Sequence, residues 1–423
     1  MRMQQKRRVC VLLPNKQRMD RPIRVGARAS DVFQSVAEHL GIAELQMFGL
    51  AVLRDNEYLF LDLDKKLSSY FGRRWKSYSS KIQFILFLRV QFYLPRGQLI
   101  HSSEVRELYY AELRQKVLWS QSRHQEALFF QLAACALQAD VGDVELGERN
   151  DEKSKQRLYF LPEDYFPPWL IKHRGRDFLL QHCPVLHVEL RGLTRTQAIL
   201  QFIKEANSLQ DGAVVFYRMR KQKKELKSSF LLGVALSGVC IYQDVEGRKW
   251  LLHDFLWTDI DRITFQGNRF EISAVGSLCL PKLVFYTPSA FHSKHVLKHL
   301  RDSHRLHINT RDAVCYLQQL EDTEASQLHR EAYICDTTSL KHRPQAWPGQ
   351  KEEEEEEEEF ELSVDEPEEF LVDDPDEVPW LAELLNSAPV SAPLVMRSSR
   401  WAAVTMEMKQ VLSGKADEGV PVD

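Results

Sequence analysis

His292, His295 and His299 fall at i, i+3 and i+7 of a segment, Ser289–Ser303, that reads as a helix. Three imidazoles on one face could ligate a metal. A single helix cannot bring all three around one ion without strain. The spacing therefore reads as a partly solvated histidine face. Protonation near pH 6 would add positive charge there and tune affinity for anions. His253 and Asp254 are neighbours, but 14 histidines make such pairs inevitable. The chain carries no P-loop, no G-x-G-x-x-G, no G-x-S-x-G and no H-E-x-x-H. No catalytic constellation, cofactor motif or metal cluster is read from it, and a non-enzyme is expected.

The elements around that helix define the setting. The chain has 423 residues, 44% of them hydrophobic, which predicts several domains with sizeable cores. The seven cysteines (10, 135, 183, 240, 279, 315 and 335) include no C-x-x-C pair. Several lie in apolar runs, which reads as a reduced intracellular protein. The N-terminal apolar run is too short for a signal peptide, and no run approaches the ~18 residues of a membrane span.

The net charge of −4 hides a division. Residues 339–423 carry 7 basic and 22 acidic side chains, a net −15, which leaves +11 for residues 1–338. A basic body favours anionic partners. The run of eight glutamates at 352–359 repels itself and predicts a mostly disordered acidic tail. Within that tail Phe370, Trp380, Leu381, Leu384 and Leu385 form an apolar island suited to docking on a partner or on the body itself.

Residues 7–93 read strand, strand, helix, then strands, a β-grasp order. Asp31–Leu40 is the helix, with Ser30 as its N-cap. Residues 98–208 read as helical. Their centre is Glu126–Asp143, EALFFQLAACALQADVGD, apolar nearly all round and closed by Gly142. Residues 213–308 give seven strands and the helix Ser289–Ser303, the order of a pleckstrin-homology or phosphotyrosine-binding barrel. A separate helical extension, 309–338, centres on Asp312–Leu328.

The wording of several segments adds to this. L-A-A-x-A-L-Q-A-D-x-G-D in the central helix resembles the signature of the middle lobe of FERM domains. FLDLDKKL (60–67) is similar to the first lobe's W-L-x-L-x-K-K. LGVALSGVCIY (232–242), FLWTDIDRITFQGNRFEI (255–272) and LVFYTPSAFHSKHVL (283–297) resemble third-lobe motifs. RVCVLLPN (8–15) and LVDDP (371–375) resemble the willin/Expanded branch. The fold class implied is α+β and multi-lobed: a ubiquitin-like lobe, a helical acyl-CoA-binding-protein-like lobe and a PH/PTB-like lobe.

The resemblance implies a non-enzymatic scaffold of the cell cortex, tied to Hippo-pathway growth control. Its partners would be phosphoinositide membranes, cytoplasmic tails of membrane proteins, or its own tail. Lys65, Lys66 and Lys294 match the cleft that binds phosphoinositides in relatives. Positions where those relatives carry arginine are here Ser289, Phe291 and His295, which removes bidentate phosphate forks. The turn Arg218–Lys227, with Lys221, Lys223 and Lys224, could compensate. A peptide groove is expected between Ile260, Ile263 and Phe265 on a strand and His292, His295 and His299 on the helix. No long heptad helix and no basic C-terminal segment follow the third lobe, which argues against direct actin binding. Basic residues are not arranged on a recognition helix, so nucleic acid is not expected. A soluble adaptor without lipid affinity is the alternative.

Overall fold

The computed structural model describes residues 6–333, apart from 56, 77–82, 144–159, 226–227, 246 and 276–281. The described residues divide into two compact units at His307/Ile308. The first holds all three lobes.

The first lobe is a five-stranded sheet in the order β2-β1-β5-β3-β4. Its strands are β1 (Lys6–Leu12), β2 (Arg18–Arg24), β3 (Phe48–Arg54), β4 (Glu57–Phe60) and β5 (Gln83–Val90). β1 and β5 are parallel at its centre. That pairing needs a long crossover, which β3 and β4 and the helices supply. Helix α1 (Ala29–Leu40) buries Ala29, Val32 and Val36 on the sheet. It starts one residue earlier than Ser30 could cap. The Asp31 carboxylate instead accepts the Arg28 backbone N–H at 2.9 Å. Helix α2 (Ser68–Lys76) has no long apolar period in the sequence. It turns at Gly72, whose φ of 49° suits a residue without Cβ. Its Tyr70 and Trp75 are fully buried.

The second lobe contains α3 (Ser103–Trp119), α4 (Glu126–Val141), α5 (Pro168–Arg174), α6 (Arg176–Glu189) and α7 (Arg195–Asn207). As expected from its all-round apolarity, α4 is the central helix, packed against α6 and α7, with Leu132 and Leu137 fully buried. Ser102 caps α3 by accepting the Val105 N–H, and Thr194 caps α7 with Gln197 completing the box.

The third lobe has two sheets. One runs β6-β7-β8-β9, from β6 (Val215–Met219), β7 (Phe230–Val234), β8 (Gly238–Val245) and β9 (Arg248–Leu256). The other runs β10-β11-β12, from β10 (Ile260–Gln266), β11 (Arg269–Ala274) and β12 (Leu283–Tyr286). Arg220 and Tyr286 bridge them with two backbone hydrogen bonds of 2.8 Å. Helix α8 then begins at Ala290 and runs unbroken to Tyr333. The sequence reading ended it at Ser303 and began a second helix at Asp312. No glycine or proline interrupts 290–333, so nothing stops the first helix where its apolar face ends. A long helix does therefore follow the barrel. In the second unit its described side chains Ile308, Tyr316 and Leu320 are exposed.

Where the lobes meet, polar groups are buried in pairs. Arg89 on β5 meets Glu112 on α3 at 2.8 Å, and Lys249 on β9 meets Asp211 at 3.3 Å. Burial pushes the thiols of Cys10, Cys135, Cys183 and Cys240 up to about 12, which keeps them unreactive.

Candidate functional site

The first turns of α8 carry most of the chemistry singled out above. The helix start is built by hydroxyls. Ser289 Oγ accepts the His292 N–H at 3.2 Å, and Thr287 Oγ1 shares a hydrogen bond of 2.6 Å with Ser293 Oγ. This fixes the rotation of α8 and so the direction of its histidine face.

That face turns inward. His292, His295 and His299 are each at most 5% exposed. His295 Nδ1 donates to the Phe291 carbonyl at 2.8 Å, so its Nε2 accepts from the Tyr70 hydroxyl at 2.9 Å. His299 Nε2 donates to the Gln91 carbonyl at 3.0 Å, and its Nδ1 accepts from the Tyr217 hydroxyl at 2.6 Å. His292 Nε2 lies 3.1 Å from Glu57 Oε1 on β4. The three rings serve different partners and do not converge on one point.

Three expectations are corrected here. The histidines are not a solvated face, and they line the junction of first and third lobes, not a peptide groove. Nor do His295 and His299 gain charge near pH 6. Burial pulls both down to about 4, outweighing the backbone carbonyl each is bonded to. Helical spacing says which residues share a face; it does not say which way the face turns.

Lys65 is drawn to this helix, its Nζ 5.6 Å from the centre of the Phe291 ring. Lys66 and Lys294 are exposed. The first lobe's dilysine and the first turn of α8 thus border one junction. Lys221, Lys223 and Lys224 are exposed on the β6–β7 turn, with Lys221 5.9 Å from the Phe230 ring.

Ile260, Ile263 and Phe265 are half-buried and pack on the core, and β10 is an edge strand among the described residues. Its outer backbone groups are therefore a candidate site for an added strand. Phe370, Trp380, Leu381, Leu384 and Leu385 lie outside the described residues.

One feature had no sequence signal. A cavity of about 440 Å³ opens at the same junction, between Arg54 and Glu57 of the first lobe and Arg218, Arg220 and His292 of the third. Its residues are far apart in sequence, and only His292 and the turn beginning at Arg218 drew attention to any of them.

The chain matches the FERM N-terminal domain over residues 11–73, the FERM central domain over 95–217 and the FERM C-terminal PH-like domain over 216–313. It is a FERM-domain protein. Human tyrosine-protein phosphatase non-receptor type 13 is 29% identical over 272 residues, 63% of this chain and 11% of that protein. Mouse FERM and PDZ domain-containing protein 2 is 26% identical over 294 residues, covering 69% of this chain and 21% of that one. Protein expanded of Drosophila melanogaster is 25% identical over 389 residues, covering 74% and 27%, and places this FERM protein in relation to the Expanded branch. The chain thus spans a quarter or less of the length of most of these relatives.

The fold is shared with the FERM and C-terminal domain complex of Drosophila Merlin. The TM-score is 0.56 at 16% identity, over 73% of this chain and 98% of that one. A Dictyostelium discoideum myosin VII MyTH4-FERM domain gives 0.52 at 16% identity, over 70% and 60%. Among the described residues of this FERM protein, no helix is long and apolar enough to cross a membrane.

Proposed function

We propose that this FERM protein is a non-catalytic scaffold of the cytoplasmic face of the plasma membrane and cell cortex. It docks on phosphoinositide headgroups or on tails of membrane proteins and recruits signalling partners. The resemblance to the willin/Expanded branch supports a role in Hippo-type growth control and in organising the actin cortex.

The observation that carries the reading is the pairing of Lys65 with the Phe291 turn of α8, with Lys66 and Lys294 exposed beside it. Several cations from two lobes border one junction, as a phosphate surface requires. The free edge of β10 supplies a second mode, addition of an extended peptide. A soluble adaptor without lipid affinity is favoured by a different observation. His295, at a position where the family resemblance implies arginine, is buried and held neutral.

Co-sedimentation with phosphatidylcholine vesicles, with and without phosphatidylinositol 4,5-bisphosphate, separates the two. The scaffold reading expects phosphoinositide-dependent binding that is lost in Lys65→Glu/Lys66→Glu/Lys294→Glu. Loss with Lys221→Glu/Lys223→Glu/Lys224→Glu alone moves the site to the barrel turn. No sedimentation with either vesicle selects the soluble adaptor. Proximity labelling in epithelial cells then identifies the protein partners.

A further inference from the structure

Among the described residues four sheet edges lack a paired strand, β2 and β4 in the first lobe and β9 and β10 in the third. Three of them are short or polar. β2 carries Pro22, which has no N–H to donate, and β4 is four residues long. β10 exposes Asp261, Arg262, Thr264 and Gln266. β9 differs. It runs for nine residues without a proline, and its middle, Trp250-Leu251-Leu252, is wholly apolar. Trp250 is 58% exposed, Leu252 44% and Leu256 52%. A bulge opposite Ile241 and Tyr242 leaves Leu252 without a partner on β8.

An open strand edge presents a row of unpaired N–H and C=O groups, a template for another strand. A long apolar edge is therefore a site of association. Charge decides what fits this one. Arg248 opens β9 and Asp254 lies near its end, both exposed. Lys249, between them, is taken by Asp211, and Asp254 gives one oxygen to the Cys240 thiol at 3.2 Å. A second β9 laid antiparallel brings the Arg248 end of each copy to the Asp254 end of the other, and Trp250 of each near Leu252 of the other. A parallel copy would set like charges side by side. The edge is thus complementary to itself, as a closed two-fold contact requires.

We propose that two copies of this FERM protein pair through β9, antiparallel about a two-fold axis near Leu251, so that their four-stranded sheets join into one. The outer backbone groups of β9 supply the hydrogen bonds, and the Trp250 and Leu252 side chains keep water from them. The contact is one strand wide, so the dimer forms in the micromolar range and responds to local concentration. It uses neither the lysines that border α8 nor the edge of β10, and is independent of both docking modes proposed above.

The test is sedimentation velocity of the full chain from ~1 to ~200 µM, a range that brackets small interfaces. Reductant is present, so that the exposed Cys315 thiol adds no cross-link. A monomer–dimer equilibrium is expected. Trp250→Lys/Leu252→Lys, both at exposed positions, should weaken it about tenfold or more and leave the melting temperature of the dilute protein unchanged. Arg248→Asp and Asp254→Arg should each weaken it about fivefold, because each sets like charges opposite one another twice. An equimolar mixture of those two variants should dimerise at parental strength, since every facing pair is then of opposite charge. A variant that had failed to fold could not be rescued by mixing. The inference is overturned if the full chain is monomeric at every concentration, which would leave the edge to its own tail or to a foreign strand. It is equally overturned if Trp250→Lys/Leu252→Lys associates like the parent, which would place the contact elsewhere, or if the mixture recovers nothing.

Discussion

The Tyr70 hydroxyl donates to His295 Nε2 at 2.9 Å, joining α2 of the first lobe to α8 of the third. The bond requires a neutral ring, and so does the Tyr217 bond to His299. In the unfolded chain both histidines titrate near 6.5; folded, burial holds them at about 4. Between these values the unfolded state binds more protons. Stability is therefore full above about pH 6.5 and falls as pH drops toward 4. The loss is on the order of 3 kcal/mol per histidine at most. Thermal melts from pH 7.5 to 5 should show a steep fall that flattens in His295→Gln/His299→Gln. Parallel curves for the two proteins would refute this.

Leu137 is fully buried at the centre of α4. Leu137→Asp places an unpaired carboxylate there, which costs several kcal/mol. The variant should be insoluble or should melt far below the parent in circular dichroism. A soluble protein with parental melting would mean that α4 is not the core helix.

Gly238 opens β8 where it runs against β9. A Cβ at this position would stand 1.9 Å from the Phe255 carbonyl oxygen, a backbone atom that cannot step aside. Gly238→Ala should therefore force the β8–β9 pairing apart and cost about 2 kcal/mol or more, as other overpacked sites do. Hydrogen exchange should rise in β8 and β9 first. Exchange rates equal to the parent's would show that the strands relax freely.

Asp211 lies between α7 and β6 and is 3% exposed. It accepts from Ser120 Oγ at 2.5 Å, Ser122 Oγ at 2.8 Å and the Gln121 N–H at 3.1 Å, with Lys249 at 3.3 Å. Burial pushes its carboxyl up, but Lys249 and these donors outweigh burial and hold it below the usual range. Asp211→Ala strands four polar groups at once and should cost ~3–5 kcal/mol. Double-mutant cycles with Lys249→Met would show coupling above ~1 kcal/mol; additive effects would dismiss the network.

What could be read from the sequence was what periodicity and local chemistry encode. Apolar residues on every side of Glu126–Val141 forced it to the centre of a helical layer. Helix α2 gave no warning, because its stability comes from burying Tyr70 and Trp75 after the sheet has formed. The length of α8 was missed because amphipathicity stops before the helix does. The histidines were placed on the correct helix and face but turned outward, since rotation is set by the Thr287 and Ser289 hydroxyl contacts and by Tyr70, 225 positions earlier. The arginine cavity was beyond reach for the same reason: Arg54 and Arg220 meet only after two lobes have packed.

Tyr70 and Gln91 hold two teeth of the same rigid rack, and Glu57 faces the third. His292, His295 and His299 span seven residues of α8, about 10 Å of rise. Sliding α8 by a single residue would swing every ring by about 100° and disengage all three together. The first lobe consequently has no partly seated position against α8: it is meshed, or it is free.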